Sequence, residues 1–298
     1  MNIRFTLIGP GRVGSAIAKV LFQKGCFPVS IIGRNLAATR DACDFIGCDS
    51  DLATTDLARA AKADLILLAV PDDSIATIAC RLQQQHIPKP GTVLLHFSGV
   101  HPATIMRYAE SQTVLYSLHP LLPFADRQQA YEQLQQAPYV GEGDEAARPI
   151  AETVCTALGG RLQNIAPNRK QLYHAAACLA SNYLVTLIAE AASLLKECGI
   201  DPDQEEALLL PLLEATLNNV AAGGTGKGLT GPIVRGDLGT LKAHMQALRQ
   251  RSTGLLDLYC LLGSRTALLA ERAGRLNPGE ADAIQELFNQ RNFTISST

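Results

Sequence analysis

The sequence predicts an α/β domain, built on a doubly wound and largely parallel sheet, followed by an all-helical domain. Three observations predict it. Short apolar runs alternate with helical patterns up to about residue 165, the first run ends in a glycine-rich turn, and no strand signal follows Pro167. The strand candidates are Ile3–Ile8, Val29–Ile32, Asp64–Val70, Thr92–Phe97 and Thr113–Leu118, with weaker ones at Tyr139–Gly141 and Arg161–Ile165. Helical stretches such as Arg12–Gln23 and Ser74–Gln84 lie between them, as a parallel sheet covered on both faces requires.

Past Pro167, Asn168 and Gln171 read as a variant capping box opening one long apolar helix that runs to Gly199, a C′ glycine. At ~1.5 Å per residue that helix would be about 45 Å long. Asp201-Pro202 reads as the start of another helix, with a kink at Pro211. Further helices are predicted at Leu238–Arg249, Leu255–Arg272 and, capped by Asn277-Pro278, Gly279–Gln290. The expected domains are residues 1–166 and 167–298.

Composition narrows the function. The chain has 298 residues, 47% of them hydrophobic and 18% charged, which suits a globular protein with a good core. A net charge of −2 gives no electrostatic footprint for nucleic acid or anionic lipid, so a small-molecule partner is expected. Eight scattered cysteines without a CxxC pair point to free thiols and a reducing, cytoplasmic setting. The start MNIRFTLIGPGRVG does not read as a signal peptide, and no apolar run of membrane-crossing length is expected. The six histidines show no HExxH or other paired ligand spacing, so no metal is expected.

The first strand ends in Gly9-Pro10-Gly11-Arg12-Val13-Gly14, a full GxGxxG between strand and helix. Gly9 permits the tight turn, Gly11 lets the backbone approach a pyrophosphate, and Gly14 lets the helix pack on the strand. This is the dinucleotide fingerprint of a Rossmann domain, with helix N-terminal amides facing the phosphates. NAD binders usually place an acid about twenty residues on, at the end of the second strand. This chain has Gly33-Arg34-Asn35 there. A guanidinium in place of a carboxylate suits a 2′-phosphate, so NADP(H) is expected, although Arg34 could instead cap an exposed turn. Val70-Pro71, at the end of LILLAVPDD, would run beneath the adenosine and its ribose.

Ligands of such sheets bind outside the carboxyl ends of the strands. Two strands end there in polar groups, His96-Phe97-Ser98-Gly99 and Ser117-Leu118-His119-Pro120. Either histidine is a candidate proton carrier, or merely satisfies backbone groups at a strand end. On the long helix, Lys170, His174, Ala177 and Ser181 share a ~60° stripe. A solvated first turn would explain Lys170, but not His174, Ser181 and Asn182 inside the core-like run YHAAACLASNYLVTLIA.

Together GPGRVG, AVPDD, LLHFSG, SLHPL with Phe124, the Lys170–Asn182 run KQLYHAAACLASN and LTGPIVRGD resemble a family of Rossmann-type oxidoreductases whose helical half is catalogued as a domain of unknown function. That family is related to ketopantoate reductase, pyrroline-5-carboxylate reductase and the β-hydroxyacid dehydrogenases. The resemblance covers most of the chain and departs at Pro123, where threonine is expected. It implies a helical half of the 6-phosphogluconate dehydrogenase C-terminal type and dimerisation through it. In the relatives a lysine on the first helix of that half acts beside the carbonyl, with an asparagine one turn on. Lys170 matches the lysine, whereas His174 stands where the asparagine would be. Asn182 lies ~100° off the stripe and also suits a structural or dimer contact.

The resulting expectation is hydride transfer from NADPH to a small 2-oxo or β-oxo acid, 2-dehydropantoate being the best guess. Lys170 or His174 would deliver the proton, Ser98 and His119 would orient the substrate, and Ser181, Asn182, Lys227, Thr230 and Arg235 would surround it. An imine reductase and a non-catalytic NADP(H)-binding regulator are the alternatives, and a deazaflavin-linked oxidoreductase a minor one. Last, GGTGKGLTGPIVRGDLGT (Gly223–Thr240) is not a P-loop, since Ala221 and Gly228 break that motif. It reads as a glycine-permissive wall between two helices, with Asp237 as the N-cap of the second.

Overall fold

Strict alternation sets the strands. In β1 (Arg4–Ile8), Phe5 and Leu7 face one side of the sheet, Thr6 and Ile8 the other, and all four are buried. In the computed structural model, which describes residues 2–124, 126–135, 137–201 and 204–290, this strand is central. It is followed by α1 (Arg12–Gln23), β2 (Phe27–Ile32), α2 (Leu36–Ile46), β3 (Ala53–Thr54), β4 (Leu65–Leu68), α3 (Asp72–Gln84), β5 (Val93–His96) and β6 (Val114–Pro120). Then come α4 (Arg127–Leu134), β7 (Pro138–Gly143), α5 (Arg148–Ala157) and β8 (Arg161–Asn164).

The strand order is β3-β2-β1-β4-β5-β6-β7-β8. Every neighbouring pair is parallel except β6–β7, which is antiparallel and turns the last two strands over. One core packs Phe5, Leu7, Leu67, Leu95 and Leu118 against Ile17 and Leu21 of α1 and Val154 of α5. The other packs Ile8, Ile32, Ile66 and Leu68 against Ile75, Ala79 and Leu82 of α3. The chain reverses direction across the sheet between β1 and β4, and Gly9 sits at that switch point, where such folds bind ligands.

The chain divides into two compact units, the first through Tyr183 and the second from Leu184. The long helix expected from Asn168 to Gly199 is instead two helices, α6 (Lys170–Ala180) and α7 (Asn182–Glu197). They meet at Ser181, whose φ of −120° and ψ of −75° leave the helical region. A polar Ser-Asn pair is the weakest helix-forming point in a run of alanines and leucines. Asn168 does not cap α6. Pro167 fixes an earlier 3₁₀ turn, Pro167–Arg169, and α6 has no side-chain N-cap. Gly199 ends α7 at φ +82° as expected.

The stretch Pro167–Glu197 also corrects the expectation about apolar runs, since by length and composition it could cross a membrane. Its first turn, however, carries Lys170 buried against the sheet.

Within the second unit, α9 (Leu238–Arg251), α10 (Thr253–Arg272) and α11 (Pro278–Asn289) share a core of Leu241, Met245, Leu256, Ile284 and Phe288. Asp237 and Ser252 cap α9 and α10, and Asn277 with Glu280 forms a full capping box on α11. The glycine-rich run behaves differently from expectation. Helix α8 (Glu205–Gly228) reaches into its first third, across a kink, so only residues 229–237 form the connection. The irregular point of α8 is Gly224, at φ +74° and ψ 173°, rather than Pro211. The cap expected at Asp201-Pro202 lies partly outside the described residues.

Candidate active site

The three glycines of the fingerprint have the separate roles their spacing predicts. Gly9 has φ +91°, and a Cβ there would meet the Ala69 carbonyl at 2.5 Å. A Cβ on Gly14 would meet the Gly9 carbonyl at 2.5 Å, so this glycine lets α1 lie against the turn. A Cβ on Gly11 would meet nothing within 4 Å, which is the open approach a pyrophosphate needs. Gly11→Ala should therefore keep the thermal midpoint within about 2 °C while weakening dinucleotide affinity at least about tenfold, read by NADPH fluorescence titration. Equal loss of midpoint and affinity would refute that reading.

Beside this turn lies a cavity of about 590 Å³, lined by Gly9, Pro10, Gly11, Gly33, Arg34, Asn35, Val70 and Pro71 among others. Gly33 is required by crowding, because a Cβ there would reach the Thr39 hydroxyl at 2.2 Å. Asn35 caps α2 by accepting from the Ala38 N–H, so its side chain builds the wall of the cavity. Arg34 lines the cavity with two arginines that sequence reasoning missed, Arg81 of α3 and Arg127 of α4. Arg127 donates to the Pro10 carbonyl at 3.3 Å. Among the described residues, no carboxylate lines the cavity. Arg12 and Val13 do not line it; Arg12 is exposed and donates to the Phe124 carbonyl at 3.3 Å.

A second cavity, of about 190 Å³, shares Ala69 and Val70 with the first and is lined further by Val13, Asp72, Ser98, His119, Leu122 and Phe124. Here the strand-end residues converge. The His119 Nδ1 lies 2.7 Å from the Tyr173 hydroxyl, and burial beside Lys170 lowers the imidazole pKa to about 4, so the ring is neutral near pH 7. The Ser98 hydroxyl accepts from the Val100 and His101 N–H groups at 3.3 and 3.1 Å, and can still donate its own proton.

His96 is not a proton carrier. Its Nδ1 accepts from the Ser98 N–H and its Nε2 donates to the Pro102 carbonyl, so both nitrogens serve the backbone. Burial pushes its pKa down to about 3. This depression has a stability consequence. An unfolded histidine protonates near 6.5, whereas the native ring stays neutral, so stability is full above pH 6.5 and falls below it. Between pH 6.5 and 5 the loss attributable to His96 should be about 2 kcal/mol. Urea unfolding of wild type and His96→Asn at both pH values should show a shallower slope in the variant.

Lys170 is fully buried, and its Nζ donates to the Ser117 Oγ at 2.6 Å. Burial lowers the ammonium pKa to about 8, against the opposing pull of Glu142 and Asp72. His174 sits across Gly99 from His119, the two rings 6.1 Å apart and nearly perpendicular. Its Nε2 lies 3.7 Å from the Cys178 Sγ, and its Nδ1 is buried without a partner. Lys170, His174, His119 and Ser98 thus gather at the carboxyl ends of β5 and β6. Ser181 and Asn182 do not join this group, because the helix breaks at that point and leaves both exposed. Lys227, Thr230 and Arg235 belong to the second unit, where all three are exposed.

Ser117, Glu142 and Tyr173 were missed. Only Ser117 had a local signal, as a polar residue at a strand end.

Residues 2–120 match the model of a Rossmann-like domain, and residues 137–266 that of a domain of unknown function, DUF2520. No curated protein sequence matches the chain. Protein TM1727 from Thermotoga maritima is 24% identical, with a TM-score of 0.73 over 90% of this chain and 98% of that one. BF3122 from Bacteroides fragilis, a candidate NADP oxidoreductase, is 22% identical, with a TM-score of 0.68 over 91% and 98%. A pyrroline-5-carboxylate reductase from Coxiella burnetii is 14% identical, with a TM-score of 0.58 over 99% and 100%. The chain thus matches a Rossmann-like domain followed by a DUF2520 domain, and it shares its fold with solved NAD(P)-dependent oxidoreductases.

Proposed function

We propose that this chain is an NADPH-dependent reductase of a small 2-oxo or β-oxo acid, with 2-dehydropantoate the first compound to test. The observation that carries the reading is a buried lysine poised to lose a proton near pH 8, grouped with a histidine on a cavity that adjoins the dinucleotide cleft. The bound dinucleotide would supply the hydride. Lys170 holds the proton that the reduced oxygen needs, and its charge stabilises the oxygen as negative charge develops. Neutral His119 orients the carbonyl through a hydrogen bond, with Tyr173 fixing the ring. His174 packs over Gly99 against the His119 ring, behind the lining of the small cavity. Arg34, Arg81 and Arg127 support the preference for NADP(H).

A second reading, reduction of a cyclic imino acid, is favoured by one observation: Lys170 does not line the cavity. An imine that arrives protonated needs no such donor. Absorbance at the NADPH band with a panel of 2-oxo acids, β-oxo acids and cyclic imino acids separates the two. Tight NADPH binding with no turnover on either class would leave the non-catalytic regulator as the reading. The exposed leucines 172 and 179 of α6 and 208, 210, 212 and 217 of α8 suit a homodimer, which light scattering would show. Eight free cysteines suit a reducing compartment.

A further inference from the structure

Among the described residues, one carboxylate and one ammonium are buried, those of Glu142 and Lys170. They meet at the same rung of the sheet. The antiparallel ladder pairs Ser117 of β6 directly with Glu142 of β7, and directly paired residues project to the same face. Ser117 is also the residue whose Oγ accepts from Lys170. The Glu142 Oε1 accepts from the Ala103 N–H at 2.6 Å, and its Oε2 is buried with no hydrogen-bond partner. An isolated buried charge is costly enough that the group normally neutralises instead, so each of these two needs the other.

We propose that Glu142 is the positioning residue of Lys170, the counter-charge that keeps the buried amine protonated between turnovers. The two groups form no ion pair within 4 Å among the described residues, and that separation matters. A direct salt bridge would hold the proton firmly, whereas a carboxylate beyond ion-pair distance keeps the cation without occupying its spare N–H groups. The remaining groups that act on this pair do not replace Glu142. Asp72 attracts Lys170 but is exposed, and Asp144 repels Glu142. His96 and His119 are neutral near pH 7, and the Tyr173 ring centroid lies 5.9 Å from the Nζ. Burial raises the Glu142 pKa and Lys170 opposes that rise, which is the reciprocal effect the pairing requires.

The inference rests on Lys170 as the proton source, yet its test uses no turnover. In protein carrying 13Cε-labelled lysine, the Lys170 resonance is assigned by its loss in Lys170→Met and titrated by NMR. Glu142→Gln keeps an oxygen for the Ala103 N–H and removes the charge. It should lower the Lys170 midpoint by about one pH unit or more, and Glu142→Asp should restore at least half of that. If the Gln variant does not fold, the carboxyl carbon of Glu142 is followed instead, and its midpoint should rise by a similar amount in Lys170→Met. A Lys170 midpoint unchanged in Glu142→Gln, or a Glu142 midpoint unchanged in Lys170→Met, would overturn the pairing and leave Glu142 as a cap for the Ala103 turn. Failure of the reductase reading would instead appear as absent turnover with the coupled titration intact.

Discussion

Lys170→Met should reduce NADPH-dependent turnover by at least about 100-fold while leaving dinucleotide affinity within about twofold. The two readouts separate because Lys170 lies beneath Ser117 of β6, whereas the dinucleotide cavity is built from the ends of β1, β2 and β4. Methionine is similar in length and apolar, so it fills the buried volume and removes only the charge and the donor. With a pKa near 8, the ammonium is largely protonated at pH 7 and still able to release its proton. Turnover in the wild-type protein should accordingly fall as the pH rises through about 8, because the donor form disappears. Should Lys170→Met retain near wild-type single-turnover rates on an oxo acid, the role of this lysine as proton source is refuted.

Gly99→Ala should be nearly as damaging to turnover, about 100-fold, from one added methyl group. A Cβ at this position would stand 2.5 Å from the His174 Nδ1 and 2.9 Å from the His119 Nε2. Neither distance is tolerable, so both rings must move, which disturbs the 2.7 Å contact between His119 and the Tyr173 hydroxyl. Overpacking of this kind typically costs about 1–3 kcal/mol, which leaves the protein folded. The imidazole Cε1 proton shifts of His119 and His174 should both change in the variant while NADPH affinity does not. Unchanged histidine spectra would mean that the two rings are not held over Gly99.

What the sequence revealed was local. The strands were legible because apolar runs such as Leu65–Leu68 are bounded by turn residues, and the fingerprint because glycine roles follow from spacing along a single turn. The break at Ser181 was hidden inside a run whose composition favours helix throughout, and the helix end at Gly228 was hidden by glycines that usually signal a loop. Arg81 and Arg127 reach the dinucleotide cavity from α3 and α4, so no spacing rule joins them to Arg34. Glu142 was invisible for the same reason. Its meaning depends on the register of β6 against β7, which local periodicity does not encode.

That antiparallel joint also bears on how such a protein can be divided or recombined. The match to the Rossmann-like domain ends at residue 120, the last of β6, and the DUF2520 match begins at residue 137, just before β7. The module boundary therefore falls between two hydrogen-bonded strands. A fragment cut there would expose the backbone of β6 as an adhesive edge, prone to pair with another copy. It would also carry Ser117 without Lys170 or Glu142. A chimera that transplants the fingerprint half onto an unrelated helical half should inherit cofactor binding but none of the chemistry.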